Sequence, residues 1–501
     1  MTKHLKDLRQ YLAELERIGE LQPIDREVDL KFEIGAICRR CYETGSPAPL
    51  FNNIGGIGSI GSGFRVLGAP AGVSSQPGVY LSRIAVSLGL DPKATGREII
   101  DALVAARDRP LIPPVVVSDA PCKQNILLGD AIDLEKLPAP WLHDGDGGRF
   151  LNTYGIIVAQ TPDKSWTNWS IARIMIVDKN RMAGIVAPFQ HLGIIHKMWA
   201  DLGKDMPFAL ALGVEPFVPF VGGMPLPAHM SEADYVGAYF GEPVEVCPAE
   251  TVDLLVPATA EIVVEGYLSA TEKLPEGPMG EYAGYLWDSG PHPKPMYSVT
   301  GITHRDNAIL PVSVAGEPPE ENHTAWGVPN AAEIVWELRN AGLPVATAWS
   351  PFESANHWYV IAMDLDWRTK TGLTAEKLCR KIGEELFKSK AGLGTPKYLV
   401  VNDDVDITNL KEVVWAFATR NYPGERGEVV FHGETTNPLV SFLHDNEKMS
   451  METTKVVYNC LPPEEWLGQL PKRSSFAGTF SPELQAKVLE NWTNYGFAPK
   501  P

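Results

Sequence analysis

Thr167-Asn168-Trp169-Ser170-Ile171-Ala172-Arg173-Ile174-Met175-Ile176-Val177 opens with polar residues and runs into an apolar strand, Ile171 to Val177, with one cation inside it. A guanidinium there needs a carboxylate or phosphate partner, because an unpaired buried charge is strongly destabilising. The partner can be a structural salt bridge or part of a site. Asn168 and Arg173 have opposite parity, so a regular strand points them to opposite faces. If both serve one site, a bulge or a strand start must lie between them.

Outward from this stretch the chain reads as short alternating strands: Pro114–Val117, Thr153–Val158, Pro243–Val246 and Ile262–Glu265. Gly/Pro/Asp turns separate them, as in an antiparallel barrel. A helix, Ile194 to Leu202, interrupts them. Upstream, Leu5, Leu8, Leu12, Leu15 and Ile18 recur three or four apart and stop at Gly19, which predicts an amphipathic helix. Further helices are predicted near 31–43 and 93–106, with short strands at Pro49–Ile54 and Phe64–Gly68. Downstream of about 328, helix (Ala331–Ala341), strand (Trp358–Met363), helix (Ala375–Lys388), strand (Tyr398–Val401) and helix (Lys411–Thr419) alternate, as in an α/β domain. A last helix, Pro482 to Tyr495, carries Leu484, Val488 and Trp492 on one stripe. It can pack on its own domain or on a neighbouring subunit.

Composition is that of an ordinary globular chain of 501 residues, 21% charged and 44% hydrophobic. The net charge of −18 argues against nucleic acid or an anionic membrane as partner, and means that local cations must draw in any anionic substrate. No apolar run reaches the ~20 residues of a membrane span. Met1–Asp7 has no apolar signal core, so the cytoplasm is the expected compartment. Six scattered cysteines, with Cys38 and Cys41 in a helical pattern, suit a reducing environment better than a disulfide scaffold or zinc site. Gly56-Ile57-Gly58-Ser59-Ile60-Gly61 satisfies G-x-G-x-x-G, but a turn and strand follow it rather than a helix, so it is read as a hairpin loop.

The polar chemistry gathers in a few segments. Asn168, His191 and Glu232 offer an amide oxygen, an imidazole and a carboxylate, a set that suits Mn²⁺ or Mg²⁺. A satisfied structural histidine is the plainer reading of His191. So few protein ligands imply a shell completed by water or a phosphorylated ligand. Glu276 and Glu281 flank Gly277-Pro278-Met279-Gly280, which excludes a helix and specifies a tight turn. Crowded carboxylates raise at least one pKa and yield a proton donor; solvated loop acids are the plainer reading. Lys390, beyond an amphipathic helix, can neutralise a phosphate or simply favour the helix dipole.

Thr167–Arg173, Pro188-Phe189-Gln190-His191, Met224–Pro227, Ser231–Ala238 and Glu276–Glu281 resemble, in order and spacing, the UbiD family of reversible (de)carboxylases. The likeness is to its ferulic/cinnamic acid decarboxylase branch and the pyrrole-2-carboxylate relatives, and spans nearly the whole chain. It implies a mixed α/β (α+β) fold: an N-terminal α/β region (1–112), a split β-barrel cofactor domain (113–315) and a C-terminal α/β dimerisation domain (316–501). It implies prenylated FMN, supplied by a flavin prenyltransferase, with its phosphate bridged by Mn²⁺ (or Mg²⁺) and K⁺. By resemblance Asn168, His191 and Glu232 are the divalent ligands, and Trp169, Val221, Gly222, Met224 and Glu232 surround the potassium. Asn168, Trp169, Ser170, Ile171, Ala172, Arg173, Gln190, His191, Glu232 and Lys390 contact the cofactor. Arg173, Glu276 and Glu281 form the catalytic network, with Glu281 as proton donor.

Gly316–Gly327 looks like the pyrrole-carboxylate enzymes, and Asn322 and Trp326 within it offer an amide and an indole. Asn437 stands where relatives usually have phenylalanine, which suggests a hydrogen bond to the substrate or more room for a fused ring. Together these favour a pyrrole, indole, furan or fused-ring acid, with cinnamic or ferulic-type acids as the alternative. A split-barrel flavin oxidoreductase would need a nicotinamide site, and the only candidate glycine motif does not fit one.

Overall fold

The computed structural model describes residues 3–56, 63–287, 290–466 and 471–498. Ile57 to Gly61 of the glycine-rich loop lie outside the described residues. Its flanking strands, Ala48–Phe51 and Arg65–Gly68, pair antiparallel.

The N-terminal helix Leu8–Arg17 is capped by Asp7, whose side chain accepts from the Gln10 N–H, and it buries Leu8, Tyr11, Leu12 and Leu15. Behind it lies a four-stranded sheet in the order Leu21–Ile24, Ala48–Phe51, Arg65–Gly68, Ile309–Val312. Its last strand comes from far along the chain, so this sheet is completed by the segment that follows the barrel. Helix Gly96–Arg107 starts with a capping box between Thr95 and Glu98, which satisfies two otherwise orphaned N–H groups.

The centre is a nine-stranded sheet. Its main path runs Thr167–Ser170, Ile156–Gln160, Met206–Leu212, Ile262–Glu276, His292–His304, Arg181–Gly184, Ile174–Ile176, Phe150–Asn152, with Asn125–Leu128 added on His292–His304. The sheet curls into a split barrel: Phe150–Asn152, at one end of the path, continues after three residues into Ile156–Gln160, next to the other end. Ile157, Phe208, Leu210, Ile174 and Tyr297 fill its interior.

The continuous strand predicted over Ile171–Val177 is in fact broken. Ser170 pairs with Ile157, whereas Ile174 pairs with Gly184 and Asn152 on the far side of the curl. Ile171–Arg173 therefore cross between the two ends of the sheet, held where Asn152 Nδ2 donates to the Ala172 carbonyl at 2.8 Å. That crossing removes the parity conflict between Asn168 and Arg173.

The C-terminal sheet has the order Val345–Trp349, Trp358–Met363, Lys397–Asn402, Glu452–Asn459, Glu428–Thr435, with helices Gly327–Asn340, Ala375–Leu386 and Leu410–Arg420. Three of these strands, Val345–Trp349, Glu428–Thr435 and Glu452–Asn459, escaped the sequence reading. The final helix covers Pro482–Glu490, stops short of the predicted Tyr495 and buries none of its residues. No helix among the described residues is long and apolar enough to cross a membrane. All six cysteines are free.

Candidate active site

A cavity of about 480 Å³ lies between the barrel and the C-terminal sheet. Of the residues singled out from sequence, Ser170, Ile171, Ala172, Arg173, Gln190, His191, Gly222, Met224, Glu232, Glu281, Asn322, Trp326, Lys390 and Asn437 line it. Asn168, Trp169, Val221 and Glu276 stand behind that lining, each 2% exposed or less.

At one end, strand Thr167–Ser170 meets two helix N-termini. His191 is the first residue of helix His191–Asp201, three residues earlier than predicted, and Glu232 is the first of Glu232–Phe240. Gly193 makes the first approach possible, since a Cβ there would lie 2.1 Å from the Ala187 carbonyl oxygen. Glu232 accepts from Asn168 Nδ2 and from the Trp169 N–H, both at 2.7 Å. With its NH₂ so committed, Asn168 presents Oδ1, which is buried without a hydrogen-bond partner; Ser170 Oγ is in the same state.

His191 is pushed below the usual imidazole range by burial, which keeps it a neutral ligand-competent ring. Lys390 Nζ lies 3.1 Å from His191 Nε2 and 3.4 Å from the Leu226 carbonyl, and burial pulls it down to about 8. The loop after it is clamped by the buried Lys455, which donates to the Gly392 and Leu393 carbonyls at 2.7 and 3.0 Å. Gly222 faces the same strand: a Cβ there would sit 3.6 Å from the Trp169 carbonyl oxygen. No cluster of three His, Cys, Asp or Glu side chains suited to a metal occurs among the described residues. The unpartnered Asn168 Oδ1, beside Glu232 and a neutral imidazole, makes a donor set that fits a hard divalent cation whose shell is completed by water or phosphate. The Gln190 N-cap makes no side-chain hydrogen bond to the first turn of its helix, and such a terminus suits a phosphate.

Towards the middle, Arg173 joins both acids. Its Nε donates to Glu276 Oε1 at 2.7 Å and its NH1 to Glu281 Oε1 at 2.5 Å. Glu276 is the last residue of strand Ile262–Glu276 rather than part of a loop, and the turn proper is Gly277–Gly280. Asp146, which sequence reasoning missed, holds that turn by accepting from the Gly280 N–H at 3.0 Å. Burial raises the Glu281 pKa, Arg173 opposes the rise and Glu276 adds to it. Burial opposes the charge on Arg173, but the two carboxylates outweigh it and leave its pKa raised. The result is a protonatable carboxyl next to a permanent cation.

At the far end, Asn322–Trp326 form a π-helical turn, an irregularity common at functional sites. Asn322 Nδ2 donates to both Glu320 oxygens at 3.0 Å. With Nδ2 so engaged, Asn322 leaves Oδ1 as its free arm toward the cavity. Asn437 is turned the other way: its Oδ1 accepts from the Leu439 N–H at 3.0 Å, leaving Nδ2 as the free arm. Trp326 packs edge-on to Tyr282 at 5.5 Å. Glu320 and Glu321, both buried here, are pushed up to about 7 by burial. Glu320 lies within the Gly316–Gly327 stretch singled out from sequence, whereas Tyr282 was not singled out.

A curled barrel between two α/β regions, with an acid–guanidinium–acid bridge opening on its cavity, sets out the groups of an acid–base enzyme site. The family models agree over three successive segments: the 3-octaprenyl-4-hydroxybenzoate carboxy-lyase N-terminal domain at residues 12–103, its Rift-related domain at 115–318 and its C-terminal domain at 323–460. The chain is 43% identical over 498 residues to pyrrole-2-carboxylic acid decarboxylase of Pseudomonas aeruginosa, covering 99% of both chains. It is 42% identical over 497 residues to ferulic acid decarboxylase 1 of Saccharomyces cerevisiae, covering 98% of both. Among solved structures it resembles the UbiD-class enzyme HmfF from Pelotomaculum thermopropionicum in complex with FMN, with 25% identity, a TM-score of 0.79 and coverage of 97% of this chain and 100% of that one. The chain belongs to the UbiD family and is a decarboxylase, a carbon–carbon lyase.

Proposed function

We propose that the chain catalyses the reversible, non-oxidative decarboxylation of a heteroaromatic carboxylic acid of the pyrrole, indole, furan or fused-ring type, using prenylated FMN. The observation that carries this reading is the Glu276–Arg173–Glu281 bridge, opening on a cavity whose other end presents the unpartnered Asn168 Oδ1. Losing CO₂ from an sp² ring carbon leaves an electron pair the ring cannot delocalise, and prenylated FMN, when bound, supplies the electron sink that no side chain offers. Asn168, His191 and Glu232 would hold a divalent cation, Lys390 and the His191 helix terminus the phosphate, and Trp169, Val221, Gly222, Met224 and Glu232 a potassium ion.

The chain's own residues do the rest. Arg173 orients the substrate carboxylate and balances Glu276. Glu281, neutral part of the time because it is buried, gives its proton to the carbon that has lost CO₂. Asn322 Oδ1 accepts a hydrogen bond, which suits a ring N–H, and Asn437 Nδ2 donates one. These two arms favour pyrrole- or indole-type acids over plain cinnamates, whose side chains offer neither group.

The exposed Phe476, Phe480, Leu484 and Leu489 near the chain end support a homodimer in which this arm docks on a second copy. Six free thiols support a reducing compartment, the cytoplasm.

The test is a panel of acids given to enzyme co-expressed with a flavin prenyltransferase, followed by CO₂ release. The expected order places pyrrole- and indole-2-carboxylate ahead of cinnamate by about tenfold or more, the discrimination one matched hydrogen bond provides. Faster turnover of cinnamate would overturn the pocket reading, and flavin reduction by a nicotinamide would favour the oxidoreductase.

A further inference from the structure

An anionic acid approaching this chain meets 62 acidic and 44 basic residues, a net charge of −18. Like charge slows association unless the cleft itself presents a local cation. The cavity lining holds three permanent or near-permanent cations, Arg173, Lys294 and Lys390, against Glu232, Glu281 and Glu321. Two of the three are committed. Arg173 donates to both Glu276 and Glu281. Lys390 lies against His191 and the Leu226 carbonyl, at the end of the cavity that the decarboxylase reading assigns to the cofactor phosphate.

Lys294 is different. It lies on strand His292–His304 and is half-buried. Strand pairing sets it opposite Leu274, two positions along from the Glu276–His292 pair, so it stands beside the acid bridge. Among the described residues its side chain makes no hydrogen bond and no ion pair, although its backbone is paired opposite Leu274. Its charge nonetheless reaches Glu281, whose acidity it strengthens. Pro293 and Pro295 flank it; their fixed φ stiffens the backbone that carries it. A lysine left without a partner at the wall of an acidic protein's cavity has no structural task that its surroundings reveal.

We propose that Lys294 is the recruiting cation of this site, holding the carboxylate of the incoming aromatic acid and passing it to Arg173. This rests on the decarboxylase reading above, and it makes Lys294 a positioning residue for binding rather than a participant in proton transfer. Loss of the charge should therefore weaken capture of the acid more than it slows the chemical step.

The experiment measures equilibrium binding of pyrrole-2-carboxylate and of its uncharged analogue, pyrrole-2-carboxamide, to cofactor-loaded wild type, Lys294→Met and Lys294→Arg. Steady-state KM and kcat are determined alongside. At low ionic strength Lys294→Met should lose about threefold to tenfold in affinity for the acid and almost none for the amide. KM should rise more than kcat falls. Lys294→Arg should restore the acid, and the difference should shrink near 0.5 M salt, where the screening length falls to a few ångströms.

Equal loss for acid and amide, no loss at low salt, or no rescue by arginine would each overturn the proposal. So would an unchanged KM with a shifted pH profile of kcat, since Lys294 would then be tuning Glu281. Absence of CO₂ release by the wild type from every acid would sink the decarboxylase reading instead, and the ratio of acid to amide binding would still decide the role of Lys294.

Discussion

Glu281→Gln is expected to lower CO₂ release by about 10²- to 10⁴-fold, the usual contribution of a positioned general acid. Bound flavin, read from its absorption, should stay at the wild-type level. Glutamine is isosteric and its carbonyl can still accept from Arg173 NH1, as Glu281 Oε1 does at 2.5 Å; what it lacks is a proton to give. The pH dependence should separate the two proteins as well. Burial raises the Glu281 pKa, so the protonated form persists above the usual carboxylate range. In the wild type the decarboxylation rate should then fall as pH rises through that raised value, and this limb should vanish in the glutamine variant. Retention of most activity in Glu281→Gln would remove Glu281 from proton delivery.

Arg173→Met should be the most destabilising single change at the site. It leaves two carboxylates without the guanidinium that binds them, in a place where Glu276 is 1% exposed and Glu281 19%. Breaking a buried pair on one side costs about 3–5 kcal/mol, and the partial exposure of Glu281 puts the expected value near the lower end, about 3 kcal/mol. Without the guanidinium the Glu281 carboxyl, already raised by burial, lies further above its unfolded value. Its folded form then holds more protons than the unfolded chain, so the variant loses stability as pH rises through the raised value and regains it in acid. Thermal melts of wild type and variant should converge toward low pH and diverge toward neutral pH. A gap independent of pH would mean that Arg173 matters for packing, not for charge.

Much of this arrangement was legible from sequence because the polar residues occur where a fold alone would not place them. The arginine in an apolar run demanded a partner, and the two glutamates around Gly277–Gly280, whose plainer reading was solvated loop acids, supply it. The parity of Asn168 and Arg173 called for a break if both serve one site, and a break falls at Ile171–Arg173. Its position was hidden because the apolar run continues through it, and only the curl of the sheet, a long-range pairing, ends the strand.

Strand Glu428–Thr435 was missed because it is a sheet edge, with Val430, His432, Gly433 and Thr435 exposed and little apolar alternation. Strand Glu452–Asn459 was missed for a related reason: Lys455 lies inside it and reads as solvated, yet it is fully buried on carbonyls of the Lys390 loop. Lys294, set between two prolines, gave no periodic signal at all. The orientations of Asn322 and Asn437 were likewise out of reach, since each depends on a hydrogen bond that only the folded loop creates.

The most direct test is a crystal structure of the chain co-expressed with a flavin prenyltransferase, collected at the manganese absorption edge. The result expected is an anomalous peak bonded to Asn168 Oδ1, His191 and Glu232, a flavin phosphate between that peak and Lys390, and the modified ring beside Arg173 and Glu281. Flavin density elsewhere, or a metal peak that leaves Asn168 Oδ1 unpartnered, would contradict it.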